Sequence, residues 1–330
     1  MIVNSTNQGI FLRWRDENKD VVHKTIPYGE GFKPYFFVLD DEKELDVITC
    51  RDGNGRFDLE VEYHLTDEHN LEGSFLKKVT WKPSKPEFGR TIRNWYEQQD
   101  IPTFEADVPN HYRYAVDHIS DMPVYDLRKW YWDMEWMQGG EHDGAITCIV
   151  RYDSYDEQYR TYVWYPGNLL TADNPVLQTY IERDGGDDVK VFDSEKKMLH
   201  AFLRDIVHTD PDMLISWFGW KFDLPKLITR LIHHKLDAQL LSPCDEVTGV
   251  YWDQKTKRVT MNKRKVENYS AVFQPIKGRI CVPLDMAFER QWLDSQRGTL
   301  PSMALDYISE TVLGRNKLVS EKFPDKNEFF

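Results

Sequence analysis

A chain of 330 residues with 41% hydrophobic and 14% aromatic residues has length for about two domains and is too apolar to be disordered throughout. Its formal net charge of −13 argues against a broad electrostatic nucleic-acid binder, yet allows an enzyme that holds a few nucleotides in a local cleft. No signal peptide is evident at Met1, no apolar stretch approaches membrane-span length, and Cys50, Cys148, Cys244 and Cys281 are scattered, so the expectation is a cytoplasmic protein without a membrane partner.

Short strands with turn punctuation are predicted over Gly9 to Trp14, Val21 to Ile26, Pro34 to Leu39, Asp46 to Cys50 and Phe57 to His64. They imply a small β-rich domain over residues 1–105, followed by a Pro-containing connector from about Ile101 to Tyr114 and a second domain over 106–330. Three strands in sequence follow, Trp130 to Met137, Ala145 to Tyr152 and Tyr159 to Tyr165, then a short one, Val189 to Phe192. Asp193-Ser194-Glu195 reads as a helix start, and Met198, Leu199, Phe202, Leu203 and Ile206 recur at helical spacing. A buried strand, Met213 to Phe218, precedes a helix from about Leu224 to His234. Strands in a row, then strand, helix, strand and helix, indicate a mixed α/β fold with a mixed sheet covered by helices.

Inside the densely aromatic Trp130 to Met137, Asp133 and Glu135 project from the same face of what reads as a buried strand. Two carboxylates there repel and lose hydration, so either a cation sits between them or other partners satisfy them. A hard divalent ion prefers such oxygen ligands together with substrate phosphates. Asp40/Glu42, Asp58/Glu60 and Asp193/Glu195 share the spacing and read as solvated acidic pairs. A third carboxylate, Asp223, is delivered by the turn after Gly219 to the start of a helix with Pro225 at an early position; a simple helix cap is the plain alternative. Phe222 beside it is either core or a base contact.

Asp133-Met134-Glu135 and Gly219-Trp220-Lys221-Phe222-Asp223 together resemble the first and second motifs of the proofreading 3′→5′ exonuclease domain of family B DNA polymerases, especially phage replicative enzymes. Phe104 to Pro109, Phe192 through Ile215, and Leu305 to Ser309 with Val312-Leu313-Gly314 are similar to further stretches of that family. The resemblance implies a ribonuclease H-like domain in which Asp133, Glu135 and Asp223 hold two Mg²⁺ or Mn²⁺ ions and hydrolyse the 3′-terminal phosphodiester of single-stranded DNA. In that picture Asp133 bridges both ions, Glu135 serves the ion that generates hydroxide, and Asp223 serves the ion at the leaving oxygen. A phage-infected bacterial cell is the implied setting.

The family's fourth carboxylate belongs to a Tyr-x-x-x-Asp motif after the second motif. Tyr63/Asp67, Tyr96/Asp100, Tyr152/Asp156 and Tyr180/Asp184 have that spacing but all precede Asp223, as does His200/Asp205 for the histidine version. The polymerase motifs are absent too, and the sequence stops soon after Asn316-Lys317. The reading is therefore the front part of a polymerase, completed by a separate C-terminal polymerase chain or cut short, with low or no exonuclease activity alone. Asp285 and Asp306 could take the missing role, but each also reads as a structural residue at a strand end or helix start. The alternative function is a non-catalytic DNA-binding subunit of a split polymerase. Gly249 to Met261 reads as a hairpin with a basic tip whose Lys255, Lys257 and Arg258 are candidates for nucleic-acid contact, and Lys263, Arg264 and Lys265 follow. Trp136, Trp217 and Trp220 could stack on bases, although Trp217 suits the core better.

Overall fold

The computed structural model describes residues 1–52, 55–122, 125–166, 188–261, 274–295 and 297–315. Lys263 to Lys265, Tyr180/Asp184 and Asn316-Lys317 lie outside them. Two compact units divide the chain, Met1–Asp126 and Leu127–Phe330.

The first unit is built on antiparallel sheets. Strands β1 (Ile2–Ser5), β2 (Gly9–Arg15) and β3 (Val21–Pro27) form one. Strands β4 (Tyr35–Leu39), β5 (Val47–Asp52), β6 (Gly55–His69) and β7 (Phe75–Lys82) form another, in the order β4-β7-β6-β5. Helix α1 (Pro86–Gln98) buries Ile92 and Tyr96 against Phe36, Val38 and Trp81 of the second sheet. The connector is tied to the same unit: Phe104 and Phe37 exchange backbone hydrogen bonds of 2.8 and 3.0 Å. Helix α2 (Asn110–His118) begins within it, and Tyr114 packs among Ile10, Leu12 and Phe32.

The second unit is a mixed six-stranded sheet with helices. Strands β8 (Lys129–Trp136), β9 (Ile146–Asp153) and β10 (Gln158–Val163) form an antiparallel meander, and β11 (Val189–Val191) runs parallel to β10. Helix α3 (Glu195–Thr209) starts at Ser194, whose hydroxyl accepts the amide of Lys197. Strand β12 (Met213–Ser216) returns parallel to β8. One wide, π-type turn (Gly219–Asp223) leads into α4 (Leu224–His233). The hairpin β13 (Val250–Asp253) and β14 (Arg258–Met261) follows, then β15 (Ile280–Pro283), parallel to β12, and α5 (Leu284–Asp294) and α6 (Leu305–Ile308). The sheet order is β11-β10-β9-β8-β12-β15. Trp130, Trp132 and Met134 of β8 pack with Met198, Phe202 and Ile206 of α3 and Leu227, Ile228 and Leu231 of α4.

Alternation along β8 corrects one expectation. Trp130, Trp132 and Met134 point into the core, but Tyr131, Asp133 and Glu135 are exposed on the other face. The strand is buried on one side only, so burial does not by itself strain the pair at 133 and 135. Among the described residues no helix is long and apolar enough to cross a membrane, and all four cysteines are free.

Candidate active site

In open α/β sheets, ligands collect at the carboxyl ends of parallel strands. Here β8, β12 and β15 run parallel as neighbours, so Asp133 and Glu135, the turn after Ser216, and Asp285 all emerge near one edge. A cleft of about 810 Å³ opens there, lined by Asp133, Glu135, Phe222, Asp223 and Asp306 among others.

Asp223 is 4% exposed and belongs to the helical backbone, but its side chain makes no cap hydrogen bond, which sets aside the plain helix-cap reading. Burial, chiefly, and then the charge of Asp133 push its carboxyl up to about 7. A hydrogen bond with Ser216 opposes this, while Asp285 and Glu135 add to it. The turn that delivers Asp223 is tight against the strand: a Cβ at Gly219 would collide with Ser216 Oγ. A side chain at 219 would force Ser216 Oγ to move.

Phe222 is half exposed, its ring edge-on to Phe218 with centroids 5.5 Å apart, so it lines the cleft rather than the core. Trp217 is only partly buried; it also lines the cleft, and its Nε1 donates to Met303 O at 2.9 Å. Trp220 is buried at 1% exposure, and Trp136 sits at the cleft wall.

Two other acids read as structural take different places. Asp285 is not at a strand end but in the first turn of α5, 1% exposed, with Oδ2 paired to Lys221 Nζ at 2.7 Å. Asp306 starts α6, as expected, and is exposed on the cleft wall. Glu195, grouped with the solvated acids, is instead buried: it accepts the amide of Ile146 at 2.9 Å and pairs with Arg230 and His234.

The cleft therefore brings together Asp133, Glu135, Phe222 and Asp223. It does not include the hairpin lysines: Lys257 and Arg258 face a neighbouring groove, and Lys255 is exposed in the hairpin turn and lines neither. The sequence reading missed Ser216, which hydrogen-bonds Asp223, and Tyr165, which lines the cleft. Each lay within a stretch taken simply as a strand, and a polar residue at the end of an apolar strand was the available signal for Ser216.

An oxygen-only donor set around a buried, charge-burdened Asp223 suits a hard divalent cation. Among the described residues, though, no three His, Cys, Asp or Glu side chains converge closely enough to hold an ion as they stand.

Residues 132–286 match the family model described as DNA polymerase family B, exonuclease domain. A DNA polymerase of Pyrococcus glycovorans is 26% identical over 314 residues, covering 88% of this chain and 34% of the relative. A DNA polymerase of Thermococcus aggregans is 26% identical over 339 residues, covering 96% of the chain but 15% of the relative. A DNA polymerase delta catalytic subunit of Glycine max is 25% identical over 180 residues, covering 52% and 16%. The chain thus spans about a third or less of the length of these relatives. Residues 132–286 thus resemble a family B DNA polymerase exonuclease domain, and the mixed sheet flanked by helices is consistent with one.

Proposed function

We infer that the cleft is a 3′→5′ exonuclease site for the 3′ end of single-stranded DNA, with Asp133, Glu135 and Asp223 as its metal-holding carboxylates. The observation that carries this is Asp223, a buried carboxyl pushed up to about 7 with the charges of Asp133 and Glu135 across the same cleft. Such a group asks for a cation. Two Mg²⁺ or Mn²⁺ ions held there would neutralise charge and supply an activated water at the scissile phosphate. The chain's own residues orient the substrate: Phe222 offers a half-exposed face to the terminal base, and Ser216 fixes the Asp223 carboxylate. No Tyr-x-x-x-Asp follows Asp223 among these 330 residues, and the proposed site takes its fourth carboxylate from a separate polymerase part. Groups of such a set act as a unit, and the chain alone is therefore slow or inactive.

Two measurements test this together. Metal at about a hundred times its dissociation constant adds about 2.7 kcal/mol to a protein that binds it when folded. Mn²⁺ should raise the melting temperature of the chain, and raise it less in Asp133→Asn and Asp223→Asn. A 5′-labelled single-stranded DNA should be shortened weakly or not at all by the chain, with any shortening lost in Asp133→Ala. Brisk, Asp133-dependent shortening would place the fourth ligand within the chain, with cleft-lining Asp306 the first to mutate. A metal response identical in parent and variants would leave a DNA-binding part without catalysis.

A further inference from the structure

Between Ser216 at the end of β12 and the carboxyl of Asp223 the chain makes its wide π-type turn, and a buried residue of α5 holds that turn at two points. Asp285, 1% exposed in the first turn of α5, donates its backbone N–H to Trp217 O at 2.9 Å, just before the turn begins. Its Oδ2 accepts from Lys221 Nζ at 2.7 Å, two residues short of Asp223. The other oxygen, Oδ1, is buried with no hydrogen-bond partner among the described residues, so this carboxylate depends on Lys221 for compensation. The Lys221 side chain is 38% exposed and could extend into water; the buried carboxylate draws it back instead. Its Nζ also stands 5.9 Å from the ring centroid of Phe218, at the start of the same turn.

The turn's own backbone bonds are less regular than those of an α-helix. Lys221 N and Phe222 N share one acceptor, Phe218 O, at 3.0 and 2.9 Å, and Leu224 N donates to Gly219 O. Asp223 has no cap bond, and Asp133, Asp285 and Glu135 all repel its charge. A fixed carboxyl in that setting needs its backbone held from outside the turn. We propose that Asp285, acting through Lys221, is a positioning residue that pins the turn so that Asp223 is presented to the cleft. Asp285 is not itself a ligand in this arrangement: it is buried, it does not line the cleft, and its charge is paired with Lys221. That Asp223 holds a metal rests on the exonuclease reading of the cleft; that the turn is pinned does not. Charge and tether predict opposite results for the loss of Lys221. By charge alone a cation would bind more tightly beside an unpaired Asp285, whereas a loosened turn binds it more weakly.

The test compares the full chain with Lys221→Met and with the double variant Lys221→Met/Asp285→Asn. The double variant keeps the parent's net charge and leaves no buried charge uncompensated, so it carries the measurement if Lys221→Met does not fold. Amide hydrogen exchange over residues 217–224, followed by mass spectrometry in EDTA, should quicken about three- to tenfold in both, while α3 exchanges as in the parent. Titration calorimetry should show both binding Mn²⁺ about three- to tenfold more weakly, as expected when a loosened side chain must be ordered on binding. Glu195→Gln, which disturbs a buried pair outside the turn, should bind Mn²⁺ as the parent does. Three outcomes overturn the tether: exchange over 217–224 unchanged in the double variant, Mn²⁺ bound by either Lys221 variant as tightly as by the parent or more tightly, or a loss in Glu195→Gln as large as in the double variant. If the parent itself binds no Mn²⁺, the exonuclease reading fails and hydrogen exchange alone decides the tether.

Discussion

Two buried carboxylates of the second unit, Asp223 and Glu195, are driven in opposite directions by their neighbours. Asp223 has burial and other carboxylates around it and is pushed up to about 7. Glu195 is as deeply buried, which alone would raise its pKa, but Arg230, His234 and the Ile146 amide outweigh burial and hold it below the usual glutamate value. The first arrangement calls for a cation from outside, whereas the second already contains its own. Glu195→Gln should therefore cost about 3 kcal/mol at neutral pH, because it leaves the largely buried Arg230 uncompensated. The sign follows from linkage: a folded pKa below the unfolded value of about 4.3 gives stability that is present above that pH and is lost as pH falls through the folded value. Urea titrations should show the gap between parent and variant close as pH drops below about 4. A gap that stays constant down to about pH 3 would mean the stability comes from shape and not from charge. None of this was readable beside Glu195 in the sequence, since its partners Arg230 and His234 lie in the last turn and at the C-cap of another helix.

At the scale of elements, regular patterns were legible and compensated ones were not. The strands at Gly9, Val21 and Val47, the meander from Lys129, the Ser194-capped helix and the hairpin at Val250 each carry alternation, a cap or a turn signal. Strand β7 hid because Lys77 stands at a core position, 2% exposed, where its ammonium donates to Asp40 O at 3.0 Å. Helix α1 hid because only Ile92 and Tyr96 are buried, too few to make a stripe. The open face of β8 was present in the text as Tyr131, Asp133 and Glu135 against Trp130, Trp132 and Met134, but the aromatic density masked the alternation. The turn before α4 depends on one close approach. Gly219→Ala should destabilise the chain by about 1–3 kcal/mol, as overpacking does. Ser216→Ala removes the oxygen that the new methyl meets, so the double variant should recover part of that loss. Strict additivity in denaturant titrations would show that the Gly219–Ser216 contact is not what requires glycine.

At the scale of the molecule, each compact unit buries apolar residues drawn from itself. Trp130 to Cys281 supply the large core of the second unit, and Phe36 to Tyr96 with Ile10 to Tyr114 supply those of the first. The buried ion pairs follow the same division: Arg128 with Asp153, Arg151 and Arg160 with Asp205, and Arg230 with Glu195 all lie beyond Leu127. The proposed metal-holding carboxylates and the Lys221–Asp285 pair do as well. A fragment Leu127–Phe330 contains everything that its fold and its site are argued from. It should unfold cooperatively in urea, with the buried Trp130 and Trp220 reporting a single transition. The Mn²⁺-induced rise in melting temperature should persist in it, weaker with Asp223→Asn. A fragment that melts without a cooperative step would mean that the first unit completes the second unit's core. A fragment that folds but ignores metal would instead place a needed ligand in Met1–Asp126.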